Sequence, residues 1–191
     1  MRETVFSKYE MRKMGVKVKG DEGYTSADCV GSWEEELDVI VVVKKCRGVE
    51  VLSRPRGAGT GTCNYTGHFP YGIYQKIFDT IREDLIKGVQ GYGTQNFHKE
   101  FAIVADVYNE ENEECLLAYP RCIVAVGPNT TITNGEEEVA EIELEIKLMP
   151  DDNGYCRYEC IVSDLAPEDA EIATKWMTEF TPELVGIATT A

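Results

Sequence analysis

Hydrophobic and polar residues alternate most strictly between Val139 and Leu148. Side chains on one face of an extended strand lie about 6.6 Å apart, within a Debye length of about 8 Å, so neighbouring carboxylates repel unless water surrounds them. The alternation predicts a strand with one buried and one hydrated acidic face, which is either an ordinary solvated surface or the lining of an aqueous space. The apolar face carries Ala140, Ile142, Leu144, Ile146 and Leu148, and the other face carries Glu141, Glu143, Glu145 and Lys147.

Other segments also show the composition of β-strands. Residues 37–44 and 48–53 are β-branched runs separated by a short charged turn, which predicts a hairpin. Residues 59–69 alternate small or apolar residues with polar ones, as in a half-exposed strand, and their glycines indicate a close approach of two backbones.

Two further hairpins are predicted in the second half of the chain. Residues 97–108 and 115–126 are apolar stretches joined by the acidic segment 109–114. Residues 136–149 and 155–163 flank Asn153-Gly154, the strongest short turn signal in the chain.

Two amphipathic helices complete the pattern. The first begins at Pro70 and places Ile73, Ile77, Ile81 and Leu85 on one face. The second begins near Pro167 and places Ile172, Trp176 and Phe180 on one face. About seven strands and two helices predict a mainly β domain of the α+β class.

The length of 191 residues fits one domain with extensions. We expect an N-terminal arm at 1–30, partly extended, a β domain at 31–181 and a C-terminal tail at 182–191. The longest aliphatic run, 39–43, is far shorter than the roughly 20 residues that span a bilayer, and the N-terminus lacks an apolar signal core. We therefore expect no membrane insertion and a protein that stays in the cytoplasm where it is made.

Charge is distributed unevenly. The chain carries 19 basic and 34 acidic residues, which disfavours a protein that works by neutralising nucleic-acid phosphates. The first twenty residues, however, hold six basic and two acidic residues. A basic arm on an acidic body suggests binding between copies, and a merely frayed terminus is an equally weighted alternative. The basic residues of this candidate ring-to-ring arm are Arg2, Lys8, Arg12, Lys13, Lys17 and Lys19.

Chemistry-bearing motifs are weak. The seven cysteines are odd in number and lack metal-ligand spacing, so we expect reduced, structural thiols. Cys63 and His68 are five residues apart and point to opposite faces of an extended strand, so they cannot form a catalytic pair there. We predict no catalytic residue, metal or cofactor. A small thiol- or metal-dependent enzyme and an acidic DNA mimic that binds nucleic-acid-binding enzymes stay open as rivals.

Read in order, the chain resembles the major tail tube proteins of long-tailed bacteriophages over roughly residues 40 to 185. The resemblance rests on a succession of segments. These are Gly59-Thr-Gly-Thr through Phe69-Pro70-Tyr71, the predicted helix 74–86, Glu114-Cys-Leu-Leu-Ala-Tyr-Pro-Arg-Cys-Ile-Val, the acidic strand 136–149, Pro150-Asp-Asp-Asn-Gly-Tyr, and Phe180-Thr-Pro-Glu-Leu-Val.

This resemblance implies a tail-tube-type β-sandwich or barrel with a flanking helix and a C-terminal helix. It implies six copies in a ring, and rings stacked into a hollow tube through which double-stranded DNA passes during infection without specific binding. Successive rings would interlock through a terminal arm and an extended loop. Implied partners are further copies, a tape-measure protein, a tail terminator and distal tail or baseplate proteins, in a virion tail assembled in the bacterial cytoplasm.

Two assignments follow from placing the residues on that architecture. Glu141, Glu143 and Glu145 are the candidate lumen-facing residues, because an acidic wall repels phosphates. Candidates for contacts between rings are the basic residues within 1–20, the loop 88–93 and the tail 182–191. Tube proteins of contractile tails and secretion systems resemble the same fold, so a surrounding sheath is an open alternative.

Overall fold

The computed structural model of the chain describes residues 6–132, 134–135 and 140–186. These residues form eight β-strands and two α-helices, which confirms the mainly β, α+β fold class. None of the helices described is long and apolar enough to cross a bilayer. In chain order the elements are β1 (Glu10–Val18), β2 (Thr25–Ser26), β3 (Val30–Cys46), β4 (Val49–Gly67), α1 (Tyr71–Ile77), β5 (Phe101–Tyr108), β6 (Glu114–Val124), β7 (Ile142–Met149), β8 (Tyr158–Ile161) and α2 (Ala170–Glu179).

All eight strands belong to one antiparallel sheet, in the order β2-β1-β5-β6-β7-β4-β3, with β8 also paired to β6. The predicted hairpin between β3 and β4 and that between β5 and β6 are confirmed. The predicted hairpin between residues 136–149 and 155–163 is wrong, because β7 and β8 both pair with β6 instead of with each other.

The length of β6 explains that difference. β6 has eleven residues, and β7 pairs with only Arg121–Val124 on the edge that β5 leaves free. Cys115–Ala118 on that edge would keep unpaired backbone groups if β8 did not pair there. The turn at Asn153–Gly154 is present, with Gly154 at a φ of 85°, and it redirects the chain from β7 towards β8.

The sheet curls around one core. Trp33 on β3 and Tyr119 on β6 contact across it, with ring centroids 5.1 Å apart. The segment between β2 and β3 bridges the two ends of the sheet, because the Ala27 amide donates to the Met14 carbonyl at 2.7 Å and the His68 amide donates to the Cys29 carbonyl at 2.9 Å. The result is a barrel-like layer. Its largest fully buried side chains include Met14, Tyr65, Ile103, Tyr119, Ile146 and Leu148.

The second helix covers the outer face of β5 and β6. Trp176 and Phe180 pack there against Val104, Leu116 and Ala118. The Trp176 indole nitrogen donates to the Leu117 carbonyl at 3.0 Å. β5 and β6 are thus buried on both faces, which explains why their sequences are apolar with little alternation.

The first helix is shorter than predicted. α1 ends at Ile77, and Ile81, placed by the periodicity on its apolar face, is 63% exposed. Asp79 has a left-handed φ of 51°, and the Thr80 amide donates back to the Gln75 carbonyl at 3.1 Å, which ends the helix. Of the four residues predicted on the apolar face, Ile73 and Ile77 are buried in the core.

The N-terminal segment contributes to the sheet. β1 pairs with β5 from Glu10 to Val18, and β2 pairs with β1. Strands therefore lie within residues 1–30, which the sequence assigns to an arm. The division of the chain at 30 and 181 stays a prediction.

Candidate assembly surfaces

β3 and β4 leave the sheet together as a long two-stranded ribbon. β7 pairs with β4 only from Gly61 to Gly67. At the root of the ribbon three residues of β4, 58–60, lie opposite one residue of β3, because Leu37 pairs with Gly61 and Val39 pairs with Gly57. A bulge of this kind bends a ribbon and increases its twist. We call residues 39–57, which lie beyond the bulge, the arm. From here on the word refers only to this ribbon and not to the N-terminal arm predicted for residues 1–30.

Glycine is required at this bulge. Gly59 has a φ of 76°, and a Cβ built on it would lie 3.0 Å from the Gly154 carbonyl oxygen. Any other residue would be strained in this conformation and crowded against the turn after β7. The prediction that glycines here mark a close backbone approach is confirmed.

The arm ends in a tight turn and is exposed along its whole length. Arg47 and Gly48 have φ angles of 50° and 81°, as in the two-residue turns that favour hairpins. Every arm residue is exposed, and Val39 and Val49 at its two ends are 60% and 65% exposed.

The two faces of the arm differ in charge. Residues directly opposite each other in an antiparallel pair share a face. One face, which we call the apolar face, carries the uncharged pairs Val39–Gly57, Val41–Pro55 and Val43–Ser53, and the charged pair Lys45–Glu50 follows them next to the turn. The other, which we call the basic face, carries the pairs Ile40–Arg56, Val42–Arg54 and Lys44–Leu52.

Such an arm is poorly suited to remain in water. An isolated two-stranded ribbon is only marginally stable, and exposed strand edges pair readily with other chains. A contiguous exposed apolar surface generally marks a site of interaction. The arm therefore has the properties of an element that is buried against another molecule.

The outer surface of β3, β4 and β7 forms a second surface, the acidic face. Three rows of side chains cross it, and their positions follow from the pairing register of the three strands. Adjacent strands lie about 4.8 Å apart, so the side chains within a row are neighbours. The rows are Ser32–Thr66–Glu143, Glu34–Asn64–Glu145 and Glu36–Thr62–Lys147.

The predicted alternation is confirmed from Ile142, where β7 begins, whereas Ala140, predicted on the apolar face, is exposed before the strand. Leu144, Ile146 and Leu148 are at most 2% exposed, whereas Glu143 and Glu145 are exposed on the outer surface. Glu141 is exposed just before β7 begins. The structure adds Glu34 and Glu36 of β3 to this surface, which the sequence did not connect with β7 because the pairing of β3, β4 and β7 is non-local.

The basic N-terminal residues lie on or beside β1. Lys8 contacts Glu159 at 3.2 Å, and Arg12 contacts Glu10 at 2.8 Å and lies over the Tyr108 ring. Lys13 and Lys17 are residues of β1. Arg2 lies outside the described residues, as do residues 187–191 of the predicted tail.

Lys19 belongs to a small ion cluster. Hydrogen bonds from Arg121 and Lys19 lower the pKa of Glu100 to about 2. Lys19 is thus paired within its own copy, with its Nζ 2.8 Å from a Glu100 oxygen. A contact between copies through the basic N-terminal residues stays a prediction.

A polar network lies inside the barrel near the arm root. Glu35 accepts a hydrogen bond from the Tyr119 hydroxyl and contacts Arg157 at 2.7 Å. Arg157 also pairs with Glu159. Burial, more than the neighbouring carboxylate, raises the pKa of Tyr119. The network ties β3 to β6 and to the residue before β8. Sequence reasoning missed it, although the alternation Trp33, Glu35, Leu37 places Glu35 on the inward face.

Burial disfavours nucleophilic thiol chemistry at Cys63 and Cys122. Cys63 and Cys122 are fully buried, and burial raises the pKa of both thiols, which makes them poor nucleophiles. His68 is exposed and His98 is held by hydrogen bonds to Tyr92 and the Val124 carbonyl. Within the described ranges no three His, Cys, Asp or Glu side chains are grouped to hold a metal ion.

No family model matches the sequence, and no curated protein matches it. Among solved structures, the chain is similar to a protein of the anti-feeding prophage cap, the tube-terminating cap of that particle. The TM-score is 0.44 at 10% sequence identity, and the match covers 83% of this chain and 96% of that chain.

Proposed function

We propose that this chain is a structural protein that self-assembles through its arm as the subunit of a phage tail tube. In this proposal six copies form a ring and stacked rings enclose a channel for double-stranded DNA. The protein has no catalytic role and works with a tape-measure protein, a tail terminator and distal tail or baseplate proteins in the virion tail. The sequence resemblance to tail tube proteins supports it.

The arm is the observation that carries the proposal. Its apolar residues are exposed on both faces in a single copy, and its two edges lack further strand partners among the described residues. Burying this surface against a second copy removes apolar area from water and covers strand edges. Repetition of one heterologous contact generates a ring or a filament, depending on whether the rotation closes.

The acidic face suits the inner wall of such a tube. Its outward side chains are four carboxylates, small polar groups and one lysine, Lys147. A wall of this composition does not neutralise phosphates, so DNA can move along it without being held. We propose that Glu141, Glu143 and Glu145 face the lumen.

The charge of the arm disfavours the acidic DNA mimic. A mimic places carboxylates where a nucleic acid has phosphates. The arm has five basic residues and one acidic residue, and it carries a continuous run of exposed apolar residues. The tube protein of a contractile injection system is the second alternative. Unlike the DNA mimic, it is compatible with both the arm and the acidic face.

Electron microscopy and light scattering over a range of concentrations test the proposal. We expect rings or hollow tubes, because burying the arm requires the surface of another copy. The resemblance to tail tube proteins implies six subunits per turn. A distal-tail or baseplate initiator is added in a parallel series. A protein that stays monomeric at every concentration, with and without the initiator, contradicts the proposal.

A lysine variant tests which surface lines the channel. The variant reverses the charge, a change of two units, at three positions: Glu141→Lys, Glu143→Lys and Glu145→Lys. We expect tubes assembled in the presence of short duplex DNA to hold it against nuclease at about 0.15 M salt and to release it at about 1 M salt, because phosphate contacts displace counterions. Wild-type tubes should hold none.

The matched control places the same charge change elsewhere. Glu110, Glu111 and Glu168 are exposed outside the acidic face. Their replacement by lysine is expected to leave DNA open to nuclease. Equal digestion of the DNA in both variants would show that the acidic face does not line the channel.

A further inference from the structure

The acidic face and the basic face of the arm lie on the same side of the β3–β4 ribbon. Successive side chains of a strand point to opposite sides, so even-numbered residues of β3 share one side. Glu34 and Glu36 are on that side in the body, and Ile40, Val42 and Lys44 are on it in the arm. The bulge inserts its extra residues in β4, so this alternation continues along β3.

Within one copy the basic face of the arm lies away from Glu34 and Glu36. The two sets of charges follow one another along the same ribbon, and Val42, which is paired with Arg54, is six residues from Glu36. At about 3.3 Å per residue this is a separation of roughly 20 Å. Arg54 is therefore out of reach of Glu36 in its own copy. Arg56 is paired with Ile40, four residues or roughly 13 Å from Glu36, and its nearest β3 carboxylate on this side is Asp38, which already accepts a hydrogen bond from the Thr60 hydroxyl. A neighbouring copy can offer Glu34 and Glu36 to both arginines.

β3 is the strand of the acidic face at which a second chain can join. It is the last strand of the sheet, and within the described residues its outer edge has no strand partner. β7, by contrast, lies between β4 and β6. A ribbon added beside β3 would extend the sheet and cover its free edge.

We propose that the arm of one copy lies beside β3 of a second copy, with Lys44, Arg54 and Arg56 next to Glu34 and Glu36 of that copy. This inference rests on the proposed self-assembly through the arm and identifies the surface that receives it. The apolar face of the arm then continues the core side of the neighbouring sheet. Glu143 and Glu145 of β7 remain in water and keep a row of carboxylates on that wall, while the basic residues of the arm lie against Glu34 and Glu36.

Charge reversal with rescue tests this pairing. The first variant is Arg54→Glu with Arg56→Glu, the second is Glu34→Lys with Glu36→Lys, and the third combines all four changes. An exposed ion pair contributes little alone, but reversal replaces attraction by repulsion at several positions. We expect each double variant to raise the concentration required for assembly about tenfold or more. The fourfold variant should return to within about threefold of the wild type.

Mixing and a control sharpen the test. Equimolar amounts of the two double variants are expected to assemble together, because each arm then meets the opposite charge on its partner. Glu110→Lys with Glu111→Lys makes the same charge change as the Glu34, Glu36 variant, but in the β5–β6 turn, and should assemble as the wild type does. Circular dichroism and solution mass confirm that each variant is folded.

Each outcome decides between the two proposals. If the wild type assembles and either double variant assembles equally well, the pairing is overturned and the assembly proposal stands. The pairing is likewise overturned, and self-assembly retained, if both doubles fail but neither mixing nor the fourfold variant restores assembly. Failure of the wild type to assemble at all, with an initiator present, would overturn both proposals.

Discussion

Replacing both Val41 and Val43 by aspartate is expected to abolish assembly and to leave a folded single copy. The two residues lie on the apolar face of the arm and are 54% and 42% exposed, so the body does not depend on them. At an interface each aspartate would lose its water, which costs several kcal/mol for an unpaired carboxylate. The concentration needed for assembly should rise by more than about a hundredfold. Light scattering and electron microscopy measure it.

The matched control keeps the shape and the apolar character of the arm. Val41→Ile with Val43→Ile retains β-branched side chains and is expected to assemble at a concentration within about threefold of the wild type. Tubes formed by the aspartate variant at the wild-type concentration would show that the arm is not the contact between copies.

Trp176→Ala is expected to lower the free energy of unfolding by about 3–5 kcal/mol. Trp176 is 2% exposed, its ring centroid lies 4.7 Å from that of Phe180, and its nitrogen donates to the Leu117 carbonyl. The substitution leaves a cavity between α2 and the sheet and removes the hydrogen bond. Urea unfolding should be measured in the Val41→Asp, Val43→Asp background, because assembly adds stability that depends on concentration.

Trp176→Phe separates the two contributions. It keeps an aromatic ring in the site and removes the hydrogen bond, so we expect about half the loss of the alanine variant or less. A loss below about 1 kcal/mol for Trp176→Ala would show that α2 contributes little to the stability of the sheet.

These two variants address independent parts of the molecule. The arm projects beyond the bulge at residues 58–60, whereas Trp176 is a residue of α2 that packs on the outer face of β5 and β6. A folded but monomeric arm variant and a destabilised Trp176 variant would together show that the body folds without the contact between copies.

Strand positions were predictable where the sequence carries its own period. The alternation in β7 is set by backbone geometry, so Leu144 inward and Glu145 outward follow from the residues alone. The ribbon of β3 and β4 was predicted in the same way, from two β-branched runs and a short turn. The end of α1 was not, because Ile81 fits the helical period but finds no core to pack against.

Strand partners required the tertiary structure. The strong turn at Asn153–Gly154 suggested that β7 and β8 pair, but β6 offers a long free edge and takes both strands. The inward position of Glu35 follows from alternation, yet its partners Tyr119 and Arg157 lie far away in sequence. Such choices depend on which buried backbone and polar groups remain unpaired after the other strands have joined.

The sequence by itself determined the fold class, the buried and exposed faces of β7, the net negative charge and the absence of a strong catalytic motif. Only the tertiary structure decided that residues 39–57 project from the body and that Glu34 and Glu36 join Glu143 and Glu145 on one surface. Periodicity along a chain is fixed by local backbone geometry. Distant segments, in contrast, compete for the same core and the same strand edges. This competition decides where each strand ends and which apolar residues are left in water.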